Sequence, residues 1–244
     1  MTQIYFISDL HLSSEHEELN QAFKEFLAFC LQSKPKALYI LGDLFDYYLG
    51  FDVIGCWGRE LGVSISTLAD AGIKVYFLPG NRDFLVDEAF IKLAKMQLLT
   101  DPQLVSLDNH TSVVLSHGDA LCTRDVLHQR FRSFSQHKWV KKLFLRLPSA
   151  YRVYLAEKVR KKGRSRQLQL HEYDAVEAEI VKLLQVFEAS ILIQGHTHRP
   201  MIRCKVIEKE ITKHIVLPDW RNYAEYMVYN GINKQFTFKR IETR

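Results

Sequence analysis

Ile4-Tyr5-Phe6-Ile7-Ser8-Asp9-Leu10-His11 opens as a short apolar run and closes on an acid and an imidazole two residues apart. An apolar run of that length reads as a buried strand, and its polar end as a loop. In extended chain, residues two apart point the same way, so Asp9 and His11 are expected to reach one object. Four further segments repeat the pattern. Residues 37–41 end in Gly42-Asp43-Leu44-Phe45-Asp46, and residues 74–78 lead to Gly80-Asn81-Arg82-Asp83. Residues 112–116 end in His117-Gly118-Asp119, and residues 190–194 in Gly195-His196-Thr197-His198-Arg199-Pro200. Between them lie helical periodicities. Leu19, Phe23, Phe26, Leu27, Cys30 and Leu31 follow Ser14 and Glu17, which are spaced as a capping box. Residues 54–71 and 175–188 show the same period. Strands alternating with helices predict an α/β sandwich with a largely parallel sheet. The tail differs: residues 202–207, 213–217, 225–229 and 235–241 read as short strands, with Asn230-Gly231 as the turn signal between the last two.

In α/β sheets, ligand sites form beyond the carboxyl ends of the strands. Carboxylate, imidazole and amide donors gathered there suit Mn, Fe or Zn better than Ca or a soft metal. A lone Asp-x-His or His-x-His is usually structural. Five such clusters, each at a strand end, point to a metal centre.

Composition limits the alternatives. The chain has 244 residues, 47% hydrophobic and 25% charged, as in an ordinary soluble domain. No apolar run approaches the roughly 20 residues that span a bilayer. The first residues lack a basic region and cleavage site, which predicts a cytoplasmic protein. The four cysteines form no C-x-x-C pair, which argues against a zinc site or disulfide framework and for buried thiols. Net charge is +5, but residues 124–166 hold 14 Lys or Arg against 2 acids. That segment is therefore +12 and the rest −7. It is open to two readings: a surface for phosphate, nucleic acid or anionic membrane, or a solvated helical face. Residues 124–170 are expected to form an inserted helical subdomain, with 1–123 and 171–244 as the core.

The ordered set DxH, GDxxD, GN(H/R)D, HGD and GHTH resembles that of the calcineurin-like metallophosphoesterases, over residues 4–200. The resemblance implies a four-layer αββα sandwich and two divalent metals. It implies Asp9, His11, Asp43 and His198 on one metal, and Asp43, Asn81, His117 and His196 on the other, with Asp43 shared. Two cations neutralise a phosphoryl group and supply hydroxide near neutral pH.

Arg82 stands where most of the family has His. Arginine cannot transfer a proton, but it clamps phosphate bidentately. A departing phosphate needs little protonation, so a pyrophosphate substrate is expected. The competing reading of Arg82 is a structural salt bridge with Asp83. Further stretches, including residues 117–123, 129–132 and 143–148, are similar to a branch of the family that acts in lipid A biosynthesis. That branch hydrolyses the pyrophosphate of a UDP-linked, acylated glucosamine. The likeness implies Mn2+, the UDP-linked acylated sugar as substrate, and peripheral attachment to the anionic inner-membrane surface. Neither nucleic acid nor a protein partner is expected. It implies Asn81, Arg82 and His196 as catalytic residues, with Asp125 and Arg160 joining them in substrate contact. The rival activity is a calcineurin-like phosphodiesterase or nucleotide pyrophosphatase with a soluble substrate. Within 124–170, Trp139, Val140, Leu143, Phe144 and Leu147 are expected on one helical side, and Lys138, Lys141, Lys142 and Arg146 on the other. Tyr151, Tyr154, Leu155 and Val159 suggest a second amphipathic stretch. Its apolar side is open to core packing or to acyl contact.

Overall fold

Alternation along the strands sets the layering. In β1 (Gln3–Ile7), Ile4 and Phe6 face one way and Tyr5 and Ile7 the other, and all four are buried. The computed structural model describes residues 3–164, 174–207, 210–221 and 223–241. Between β1 and the third strand run α1 (Glu17–Ser33), β2 (Ala37–Leu41) and α2 (Gly55–Asp70). Then come β3 (Lys74–Leu78), α3 (Glu88–Leu93), β4 (Gln97–Leu98), β5 (Gln103–Ser106) and β6 (Ser112–Ser116). Three helices follow: α4 (Val126–Ser135), α5 (Lys138–Leu145) and α6 (Ser149–Arg164). The chain closes with α7 (Glu177–Val186), β7 (Ile191–Gln194), β8 (Met201–Ile207), β9 (Glu210–Val216), β10 (Ala224–Asn230) and β11 (Gln235–Ile241).

Among the described residues the strands form two sheets, ordered β11-β10-β1-β2-β3-β4 and β5-β6-β7-β9-β8. Ile4, Phe6, Tyr39, Leu41 and Leu78 of the first sheet meet Val113, Leu115, Ile193 and Ile215 of the second in one buried cluster. The opposite faces carry the helices. Tyr5, Ile7, Leu38, Ile40, Val75 and Phe77 pack on Phe23 and Phe26 of α1, Ile65 of α2 and Phe90 of α3. Val114 and Leu192 pack on Ile180 and Leu184 of α7. The layers are therefore helix, sheet, sheet, helix, the expected αββα sandwich.

Several local expectations need correction. The metal-type strand ends are split between the sheets: β1, β2 and β3 run parallel in one, β6 and β7 in the other, with antiparallel strands at the margins. The short β4 and β5 carry too little apolar alternation to be read from sequence. Ser14 does not cap α1: the N-cap is His16, without a side-chain cap bond, and Asn20 Nδ2 instead donates to the Ser13 carbonyl at 2.8 Å. The last hairpin turns through residues 231–234, with Lys234 rather than Gly231 in the left-handed region. Cys30 and Cys122 are buried thiols, but Cys56 and Cys204 are exposed. No helix among the described residues is long and apolar enough to cross a membrane.

The helices α4–α6 also sort differently from the expected stripe. Phe144 and Leu145 pack against the helix-side core, so Leu145, which lies off the expected apolar side, is an anchor. Trp139 and Leu143 face solvent at 74% and 67% exposure. Lys141 points inward: its Nζ donates to the Phe84 carbonyl at 2.9 Å. Tyr151, Tyr154 and Val159 of α6 are half exposed.

Arg152 of α6 is buried, donating from Nε to the Leu147 carbonyl at 3.0 Å and from its terminal nitrogens to the Leu49 carbonyl and the Asp52 carboxylate. This clasp needs Gly50, at φ +123°, because a Cβ there would overlap the guanidinium. Arg152→Met removes donors that two backbone carbonyls depend on. It is expected to lower unfolding free energy by about 1–3 kcal/mol, measured by urea denaturation of the metal-free protein. An unchanged midpoint would show that the clasp contributes nothing.

Candidate metal centre

The loops after the strands place their polar side chains by unusual backbone conformations. Asp9, His11, Asp43, His196 and His198 all have φ between 52° and 67°. A left-handed non-glycine residue costs about 1 kcal/mol or more. The other four described cases, Lys34, Lys95, Glu188 and Lys234, sit at helix ends or in the last hairpin, where such conformations are routine. The five strained residues therefore cluster at one site. Backbone bonds tie their loops together: Asp9 N to Gly42 O at 3.1 Å, His11 N to Asp43 O at 2.9 Å and Gly195 N to His117 O at 3.0 Å. Extended-chain alternation is consequently not what aligns Asp9 with His11. His196 and His198 in fact diverge, one toward His117 and the other toward Asp9 and His11.

The resulting cluster has two lobes. In the first, His198 Nε2 lies 3.2 Å from Asp9 Oδ1 and 3.4 Å from His11 Nε2. In the second, His117 Nε2 lies 2.9 Å from Asn81 Oδ1, and its ring meets that of His196 edge-on at 5.1 Å. Asp43 stands between, with Oδ2 3.9 Å from His11 Nδ1 and Oδ1 3.6 Å from His117 Nε2. Two triads, Asp9-His11-His198 and Asp9-Asp43-His117, have ligand atoms all within 4.8 Å of one another.

Arg82 lines the mouth, one-third exposed, with its Nε 3.6 Å from Asp43 Oδ2 and Nη1 bonded to Asp46 Oδ1 at 2.6 Å. It makes no pair with Asp83, whose buried carboxylate accepts instead from the Gly80, Leu44 and Phe45 amides. Asp125 is buried and caps α4 through the His128 amide at 3.0 Å. The side chain of Arg160 lies outside the described residues, as do residues 165–173 of the expected insert boundary.

Some contributors were not singled out from sequence. His128 of α4 stacks on His196 at 5.8 Å, and Asp119 accepts from Arg132 Nε at 2.7 Å, so α4 is bound to the His117 loop. Asp219 lies 3.7 Å from His198 Nδ1, and the following Trp220 amide donates to the Asp9 carbonyl. Asp119, as the last letter of HGD, and Arg132, within the family-like stretch 129–132, carried a sequence signal; His128 did not.

Charge is concentrated here. Burial, then the Asp83 and Asp9 carboxylates, push Asp43 up to about 7. Burial would lower His117, but Asp43, Asp9 and Asp119 outweigh it and raise the imidazole to about 10. Burial also opposes ionisation of Asp9, yet the His198 hydrogen bond and the nearby imidazoles hold it below the carboxylate range. His11 and His196 are pushed down to about 3, chiefly by burial, and stay neutral.

The sign of the pH dependence follows. Asp43 and His117 both have folded pKa values above their unfolded ones, so each contributes stability at low pH that is lost as pH rises through the folded value. The melting temperature of the chelator-treated protein is expected to fall as pH rises through about 7. A bound cation needs those groups deprotonated, so its added stabilisation should grow over the same range. Calorimetry at several pH values, with chelator and with Mn2+, reads both slopes. Parallel slopes would refute the coupling.

The donors suit a divalent cation. His11 Nδ1 is buried and has no hydrogen-bond partner, although it faces Asp43. His117 Nδ1 is fixed as donor to the Leu41 carbonyl at 2.9 Å, which turns Nε2 toward the cluster. The backbone comes equally close: a Cβ at Gly80 would sit 2.2 Å from Asp43 Oδ1, and one at Gly195 would sit 2.4 Å from Asp9 Oδ2.

Comparison with known proteins agrees with this geometry. The chain shares 41% identity with a UDP-2,3-diacylglucosamine hydrolase of Haemophilus influenzae, over 93% of this chain and 94% of that one. The proteins of the same name from Aeromonas hydrophila and Neisseria meningitidis share 40% and 39%, over 91% and 95% of this chain and 92% and 95% of theirs. Among solved structures, a dimetal phosphatase from Danio rerio superposes with a TM-score of 0.54 at 12% identity, over 99% of this chain and 97% of that one. An archaeal phosphodiesterase gives 0.51 at 10%, over 98% and 100%. These two share the fold. The model of the calcineurin-like phosphoesterases matches residues 2–200, which include the whole cluster from Asp9 to His198, and the chain belongs to that family.

Proposed function

We propose that this protein hydrolyses the pyrophosphate bond of UDP-2,3-diacylglucosamine, releasing UMP and the diacylated sugar 1-phosphate. The observation carrying this reading is the near-full-length identity to hydrolases of that name. The 230 aligned residues of 244 leave too few unaligned to omit the segment 124–170. The family is metal-dependent and binds two divalent metals. The proposed ligands are Asp9, His11, Asp43 and His198 for one, and Asp43, Asn81, His117 and His196 for the other. Asp43 is proposed as the shared ligand because its two oxygens face opposite lobes, Oδ2 toward His11 and Oδ1 toward His117. The mixed carboxylate, amide and imidazole donors suit Mn, Fe or Zn, and Mn2+ is proposed among them from the family likeness. When bound, the cations supply charge neutralisation and an acidified water.

The chain's own residues do the rest. The Arg82 guanidinium, pinned by Asp46, presents fixed positive charge to a phosphoryl group at the cluster mouth. Nη1 is held by Asp46 and Nε faces Asp43, which leaves the Nη2 N–H groups for the phosphate. Asn81 and His196 border the same lobe. Asp125 and Arg160 are proposed substrate contacts at the start and far end of the α4–α6 segment. Residues 124–170 are proposed to cap the site, fastened by Arg132 to Asp119 and by Lys141 to the loop after Arg82.

The exposed side of α5 combines Lys138, Lys142 and Arg146 with Trp139 and Leu143, a pattern suited to an anionic bilayer surface. It supports the proposed attachment to the cytoplasmic face of the inner membrane. One experiment tests both proposals. Turnover of UDP-2,3-diacylglucosamine in anionic vesicles is measured with Mn2+, with chelator, and for a variant carrying Lys138→Glu and Lys142→Glu. Activity should vanish with chelator and return with Mn2+, and the variant should lose vesicle binding while keeping turnover in detergent. Turnover of a soluble nucleotide pyrophosphate with none of the acylated sugar would overturn the substrate, and unchanged vesicle binding would overturn the membrane face.

A further inference from the structure

On the far side of the second sheet, beyond the core packed under α7, lies a cavity of about 320 Å³, which Thr197, between His196 and His198, separates from the metal cluster. Its floor comes from alternate residues of three neighbouring strands: Gln194 of β7, His214 and Val216 of β9, and Met201 and Arg203 of β8. These side chains share one face because their neighbours Ile193 and Ile215 point into the core between the sheets.

Two features of this floor lack an internal explanation. Gln194 is fully buried, yet neither its Nε2 nor its Oε1 has a hydrogen-bond partner. His214 Nε2 is likewise enclosed and unpartnered. Buried amides and imidazoles left in that state are costly, and their pairing partners are usually ligands, ions or water. The surroundings select the kind of ligand. Arg199 Nη1 is paired with both carboxylate oxygens of Asp174, and Lys205 with Glu177, whereas Arg203 forms no ion pair among the described residues. The rim therefore carries an excess of cationic charge. Burial, then Arg203 and Lys205, push His214 down to about 4, so at neutral pH it is an uncharged imidazole able to offer one N–H.

We propose that this cavity is a second binding site, separate from the metal centre, for the phosphate group of a phosphate monoester or of inorganic phosphate. The monoanion matches the donor inventory. Its oxygens accept from Arg203, from Gln194 Nε2 and from the His214 N–H, and its remaining hydroxyl donates to Gln194 Oε1. An occupant would also touch the catalytic loops. Gln194 directly precedes Gly195-His196, and its amide lies against Gly118, where an added Cβ would come within 2.9 Å of Nε2. The site is thus placed to transmit occupancy to both His117 and His196.

The test follows the His214 imidazole by nitrogen-15 NMR in the full chain, titrated with inorganic phosphate and separately with glucosamine 1-phosphate. Three proteins are compared: wild type, Arg203→Ala, and Asp43→Asn, which disables the metal cluster. A saturable His214 shift is expected in wild type and in Asp43→Asn, with affinity about tenfold weaker in Arg203→Ala, the loss of one charge-assisted bond. Response to either probe supports the phosphate assignment, and preference for the sugar phosphate would identify an ester as the source. No saturable shift would mean that the cavity holds water only and would overturn the proposal. So would a shift abolished in Asp43→Asn but intact in Arg203→Ala, because that would place the anion at the metal centre. Arg203 is exposed on an edge strand, so its replacement leaves the fold in place for the comparison.

Discussion

Asp43→Asn is expected to yield a folded protein with turnover reduced by about a thousandfold or more. Loss of a shared carboxylate removes several kcal/mol of charge stabilisation, and each 1.36 kcal/mol is about tenfold in rate. The same change should not harm the fold. Asp43 is buried beside the carboxylates of Asp9 and Asp83, and burial already disfavours its charged form. An amide of the same shape removes that cost, so the chelator-treated variant should melt at the same temperature as wild type or higher. Metal content by elemental analysis should fall below that of the wild type. Turnover within tenfold of wild type, with full metal content, would mean that Asp43 is not the shared ligand.

Arg82→His should lower kcat by about a hundredfold to a thousandfold while leaving metal content intact, the usual cost of removing one pre-positioned donor to developing charge. The backbone amide of residue 82 still bonds to Asp43 Oδ1 at 2.9 Å, so the metal loop should keep its shape. Arg82→Lys should restore only part of the rate, since an ammonium cannot reproduce the planar fork. Steady-state kinetics on the UDP-linked substrate separates these outcomes. A wild-type kcat in Arg82→His would assign the guanidinium a purely structural role with Asp46.

Much of this was legible in the chain itself. Each strand end announced its ligand because apolar runs of a few residues stop abruptly at acid, imidazole or glycine. The order of those stops resembles one family closely. Other features were readable only in part. Lys141 and Arg152 look in sequence like members of a solvated basic face, but both turn inward onto backbone carbonyls. A periodicity reports which residues share a helical side, not which side the body covers. Leu145 shows the same limit, since it breaks the stripe yet packs on the core.

By itself, the sequence determined the metal-type residues at the strand ends, an α/β class through its strand and helix periods, and the placement of Arg82 beside those residues; the αββα layering was implied by the family resemblance. Tertiary structure supplied the geometry by which those side chains fall into two lobes. His196 and His198 part company because both backbones are left-handed, and Asp43 comes between the lobes because the loops of the two sheets meet there, with His117 Nδ1 donating to the Leu41 carbonyl and the His196 amide to the Asp9 carboxylate. It also decided that Arg82 answers to Asp46 and not to its neighbour Asp83. The physical reason is common to all three: side-chain identity travels with the chain, but the direction of a side chain in a loop depends on φ and on partners dozens of residues away.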